Sequence, residues 1–147
     1  MSWTRAAAVA ALVFALATPI AACGGDDAES FKDDYNALSK DLQSVNDDLQ
    51  DANPSNPNEL ADQIDKIADK ADEARNKLAD LDPPDDAKDE LDKLVDEVQK
   101  GVDAMRDVAS AARKNDISAL QQSVTKLSEA GTDITNAENQ LKEAVDG

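Results

Sequence analysis

From residue 30 to the end of the chain, apolar side chains recur at alternating spacings of four and three. That rhythm keeps one face of an α-helix apolar and turns it into a continuous seam. Four segments carry it. The first runs Phe31, Tyr35, Leu38, Leu42, Val45, Leu49, and the second runs Leu60, Ile64, Ile67, Ala71, Ala74, Leu78, Leu81. Neither breaks step. The third passes through Leu91, Leu94 with Val95, Val98, Val102, Met105, Ala109 and Ala112. The fourth takes Ile117, Leu120, Val124, Leu127, Ala130, Ile134, Ala137, Leu141 and Ala144. In the fourth, the step from 127 to 130 breaks the alternation beside Gly131, which predicts a local change of twist or a kink. No segment alternates apolar and polar as a half-buried strand does, and β-branched residues are sparse.

The residues between the segments punctuate the same four helices. Ser30 is followed three positions later by Asp33, Asn56 precedes Pro57 and has Glu59 beyond it, and Asp82 precedes Pro83-Pro84 with Asp85 beyond. Each pattern predicts an N-cap with an acidic residue in the first turn, where free N–H groups and the positive end of the helix dipole lie. Asn115-Asp116 is read as ending the third helix and capping the fourth with almost no loop. Connections this short make consecutive helices antiparallel neighbours. The expected fold is all-α: an elongated, antiparallel, up-down four-helix bundle over residues 30–147. A three-helix bundle with the first helix splayed, or assembly through the seams, are the structural alternatives. Alanine at many seam positions brings helices close while burying little area, so the core is expected to be thin and to rely on length.

The first 23 residues follow a different pattern. A short region with Arg5 leads into an apolar stretch over residues 6–17, then Pro19 and small residues before Cys23. This is the layout of an export signal. Its apolar core is well short of the roughly 20 residues that span a bilayer. Cys23 is the only cysteine in the chain, which also has no histidine. A disulfide therefore has no second half within the chain, a catalytic thiol has no histidine to activate it, and Gly24-Gly25 is a poor setting for a core residue.

Ile20-Ala21-Ala22-Cys23 resembles the lipobox of bacterial lipoproteins at all four positions, and the abrupt CGGDD start is similar to lipoproteins of high-GC Gram-positive bacteria. The resemblance implies lipidation followed by cleavage between Ala22 and Cys23, with a diacylglyceryl group carrying palmitate-type chains joined to the Cys23 sulfur, a strong nucleophile, as a stable thioether. It also implies a signal peptide over residues 1–22, and a lipidated cysteine with a short tether over 23–29. Two acyl chains hold a protein stably on a membrane where one is marginal. The expected location is the extracytoplasmic face of the cell membrane, or the outer membrane in a Gram-negative envelope. The resemblance covers only about the first 25 residues.

Charge narrows the partners. All 32 acidic residues and 14 of the 15 basic ones lie beyond residue 22, which leaves that part with a net charge of −18. Without clustered Lys and Arg, a nucleic-acid partner is not expected. Such a surface is read chiefly as the solvated face of helices.

The chemistry is sparse. With no histidine, the commonest general base and metal ligand is missing. The acidic pairs Asp33-Asp34, Asp47-Asp48 and Asp85-Asp86 fall outside the seams and are read as solvated or capping residues. No catalytic residue, metal site or cofactor is expected. Phe31 and Tyr35, the two aromatics beyond the leader, lie one turn apart on the first seam. They are read as packing at one end of the bundle and, more sharply, as a candidate contact for a ligand or partner. The functional expectation is a non-enzymatic, lipid-anchored envelope protein that binds an unidentified envelope protein or wall component, or acts as a spacer. A bundle that captures a small ligand or senses one is the alternative.

Overall fold

The computed structural model describes residues 26–146, with side chains from Glu29 onward. Among the described residues there are four α-helices, α1 (Asp26–Asp51), α2 (Pro57–Ala79), α3 (Lys88–Arg113) and α4 (Ile117–Asp146), with a 3-10 turn at Asp85–Ala87 and no strand. At 1.5 Å per residue they are about 35 to 45 Å long. The chain is an all-α, up-down bundle.

All four helix starts were read from punctuation, with different outcomes. At α2 the Asn56 side chain accepts from the Glu59 N–H at 3.0 Å, Pro57 occupies the first turn, and the Glu59 carboxylate accepts from the Ser55 N–H. Ser30 is not a cap. α1 already begins at Asp26, so Ser30 lies inside its second turn, past the point where a cap could act. Nor does Asp82 cap α3. Pro83 and Pro84 hold the chain extended, the 3-10 turn follows without a side-chain cap, and α3 starts only at Lys88.

The α3–α4 corner is a Schellman motif followed at once by a cap. Asn115 takes a positive φ of 51°, its N–H donates to Ala112 O, and the Asp116 N–H donates back to Ala111 O. The Asp116 carboxylate then accepts from the Ala119 N–H at 3.0 Å, closing the first turn of α4. One asparagine and one aspartate thus reverse the chain between two long helices. α4 continues through Gly131 as a single α-helix.

The core runs the length of the bundle, with Leu78, Leu94, Val102, Met105, Ile134 and Leu141 its largest fully buried side chains. α3 packs closely on both α2 and α4, whereas α1 approaches α2 less closely. The residues account for the difference. The buried stripe of α1 is all large: Phe31, Tyr35, Leu38, Leu42, Val45, Leu49. On α3, Gly101, Ala104, Ala109, Ala111 and Ala112 let neighbouring backbones come near.

Ion pairs flank the seams at heptad intervals. Asp41 and Asp48 of α1 meet Lys77 and Lys70 of α2. Arg106 of α3 reaches Asp69 and Asp72 of α2, and Arg113, one heptad on, reaches Asp62 and Asp65. Each set confirms an antiparallel register.

Candidate functional site

An up-down bundle brings the start of α1 to the end of α4, and there the structure collects its least ordinary side chains. Phe31 and Tyr35 stack with ring centroids 6.0 Å apart and planes inclined by 29°. Both are buried, at 2 % and 5 % exposure, so each ring is spent on packing. A buried phenol needs a partner for its hydroxyl. The Tyr35 hydroxyl finds one in α4, donating to Glu138 Oε1 at 3.1 Å.

Glu138 is set in the α1–α4 seam against a neutral partner. Burial disfavours its charged form and pushes its pKa up to about 7, although the hydrogen bond from Tyr35 pulls the other way. Tyr35 is raised well above the ordinary phenol range, first by burial and then by the Glu138 charge and hydrogen bond. Two turns along α4, Asp146 pairs with Lys32 at 3.1 Å, and the Lys32 side chain is only 3 % exposed. Both links tie α1 to α4 at the same end of the bundle. The arrangement can take up and release one proton near neutral pH.

The other sequence candidates are dispersed. Cys23 and Ala22 lie outside the described residues. Asp33, Asp34 and Asp47 are exposed, Asp48 pairs with Lys70, and Asp85 pairs with Lys88 at 2.7 Å. The Lys88 hydrogen bond, and then its charge, hold the Asp85 pKa below the usual carboxylate range. Among the described residues no group of three or more His, Cys, Asp or Glu side chains is placed to hold a metal ion. Among the same residues no helix is long and apolar enough to cross a membrane.

Glu138 escaped the sequence reading because it stands beside the seam residue Ala137 and looks like one more surface acid. A signal was present. Tyr35 is the only tyrosine, it lies on a buried stripe, and up-down topology faces it with the last turns of α4.

No protein-family model, curated protein or solved structure matches this chain.

Proposed function

We infer that the protein is a non-enzymatic, lipid-anchored component of a bacterial cell envelope whose bundle serves protein or wall interaction, or spacing. The observation that carries this reading is the complete lipobox at Ile20-Ala21-Ala22-Cys23. The start of α1 at Asp26 supports it, because only Gly24 and Gly25 separate Cys23 from a rigid helix. Three residues reach at most about 10 Å. A lipid on Cys23 then sets the Tyr35–Glu138 end next to the membrane and the α3–α4 corner about 40 Å further out. Burial of Phe31 and Tyr35 in the core favours a rod over a bundle that opens a ligand pocket between those rings.

Metabolic labelling with radioactive palmitate tests the anchor. The wild-type chain incorporates label and Cys23→Ala does not; equal incorporation by both removes the assignment. Crosslinking on intact cells followed by mass spectrometry tests the interaction, a reproducible envelope protein or wall fragment being the expected result.

A further inference from the structure

Among the described acids that bond across to another helix, Glu138 is distinguished by its partner. The carboxylates of the cross-helix pairs, Asp41, Asp48, Asp62, Asp65, Asp69, Asp72, Asp107 and Asp146, all meet Lys or Arg. Glu138 crosses its seam to a phenol instead. A carboxylate in such a place is costly when ionised and nearly free when protonated. The seam it occupies is also the one the backbone does least to hold. α1 has large side chains all along its buried stripe, approaches α2 less closely than α3 does, and is bound to α4 at this end through Tyr35–Glu138 and Lys32–Asp146.

We propose that the α1–α4 seam is a proton-operated latch: protonation of Glu138 closes it, and ionisation loosens α1 from α4 and uncovers Phe31 and Tyr35. The neighbouring charges leave this role to Glu138. On α1 it faces Tyr35, and Lys32, one turn earlier, pairs with Asp146. On α3, Lys100 pairs with Glu97 and feels Asp133 of α4. The 3-10 turn that touches α4 brings Asp85, held by Lys88, and the exposed Asp86. On α4 itself Lys142 follows one turn later, and among the described residues no ion pair includes Glu138. The rings read from the sequence as a partner contact thereby become reachable in one protonation state only. This latch does not depend on the lipid anchor.

Two measurements on the detergent-solubilised full chain test it. In a carboxyl ¹³C NMR titration, Glu138 inflects near pH 7, and Tyr35→Phe, which keeps the ring and removes the hydrogen bond, inflects higher. An inflection below about 5, the range of an ordinary exposed Glu, overturns the proposal. In hydrogen exchange corrected for intrinsic rates, amides of residues 31–38 and 134–142 gain roughly ten- to a hundredfold protection as the pH falls from about 8.5 to 5.5. Glu138→Gln, a fixed neutral side chain, is protected at both pH values. The same pH response in wild type and Glu138→Gln overturns the latch.

Discussion

Gly101 of α3 lies under Ile134 of α4 so closely that a Cβ built on the glycine would stand 3.3 Å from Ile134 Cδ1. Two effects compete at that position. Alanine is better in a helix interior than glycine by about 1 kcal/mol. The added methyl, however, requires the Ile134 side chain to yield by a few tenths of an ångström in a core where it is 2 % exposed. The end of an isoleucine side chain can move that far, so Gly101→Ala is expected to shift stability by less than about 1 kcal/mol. Gly101→Leu has no such relief, and overpacking there costs about 1–3 kcal/mol or more. Urea midpoints of the two variants check this, and a leucine variant as stable as wild type would refute the close α3–α4 approach.

The core's reliance on a few large residues leads to a second prediction. Leu141 is fully buried, whereas Ile117, at the start of the same helix, is 50 % exposed. Leu141→Ala deletes packed atoms and leaves a cavity, costing about 2–5 kcal/mol. Domains of this size have about 5–15 kcal/mol in total. Ile117→Ala removes mostly hydrated surface and is expected to cost below about 0.5 kcal/mol. Thermal denaturation of the pair distinguishes them, and similar losses would contradict the burial pattern.

The stripes of α1 and α2 were legible because large aliphatics repeat there without interruption, and the periodicity measured real burial from Phe31 to Leu49 and from Leu60 to Leu78. Less was visible on α3. Its second buried row, Gly101, Ala104, Val108 and Ala111, serves a second neighbour, yet small residues carry too weak a hydrophobic signal to mark a face. Ile117 kept the period of its seam but lies in the first turn of α4, where half of its surface stays in solvent. The Tyr35–Glu138 link is of another kind: it joins residues 103 positions apart, and topology, not local pattern, brings them together. The aspartate–arginine ladder was hidden for the same reason, although the heptad spacing of Arg106 and Arg113 hints at it.

That ladder is a minor contributor to stability. Arg106 and Arg113 are each 45 % exposed, and pairs this wet contribute at most about 1 kcal/mol. With 32 acidic residues against 15 basic ones, most carboxylates have no cation to pair with, so mutual repulsion outweighs the bridges. Raising the salt concentration from about 0.05 to 0.5 M screens both, and the repulsion is the larger quantity. The melting temperature is therefore expected to rise with salt. A fall would mean that the ion pairs dominate.

Acid should stabilise the fold, and Glu138 should be a distinct part of the reason. Its carboxyl takes up a proton at about 7 in the folded chain and at 4.5 when exposed. Between those values the folded state holds more protons than the unfolded one, so stability declines as the pH rises through the window. General repulsion among the acids acts in the same direction, which makes the wild-type profile alone ambiguous. The difference between wild type and Glu138→Gln isolates the residue. Wild type is expected to lose up to about 2 kcal/mol more than the variant between pH 5 and 8, after allowance for residual solvent screening. Parallel melting curves across that range would leave no special role for this carboxyl.

The α3–α4 corner offers the most local test. Asn115 is the one non-glycine residue among those described with positive φ, at 51°, and the two bonds of the Schellman motif require it. For a residue with a Cβ this conformation costs about 1–2 kcal/mol, least for asparagine and nothing for glycine. Asn115→Gly is therefore expected to preserve or slightly raise stability, and Asn115→Val to lower it by about 1–2 kcal/mol. Asp116 does separate work, since its carboxylate satisfies the Ala119 N–H at 3.0 Å. Asp116→Ala should cost about 1 kcal/mol. The two residues are adjacent but act on different helices, one closing α3 and the other opening α4, so the costs of Asn115→Val and Asp116→Ala should nearly add in the double variant. Chemical denaturation of the three proteins measures this. A double variant no worse than Asn115→Val would show that the left-handed turn, rather than the carboxylate, also sets the start of α4.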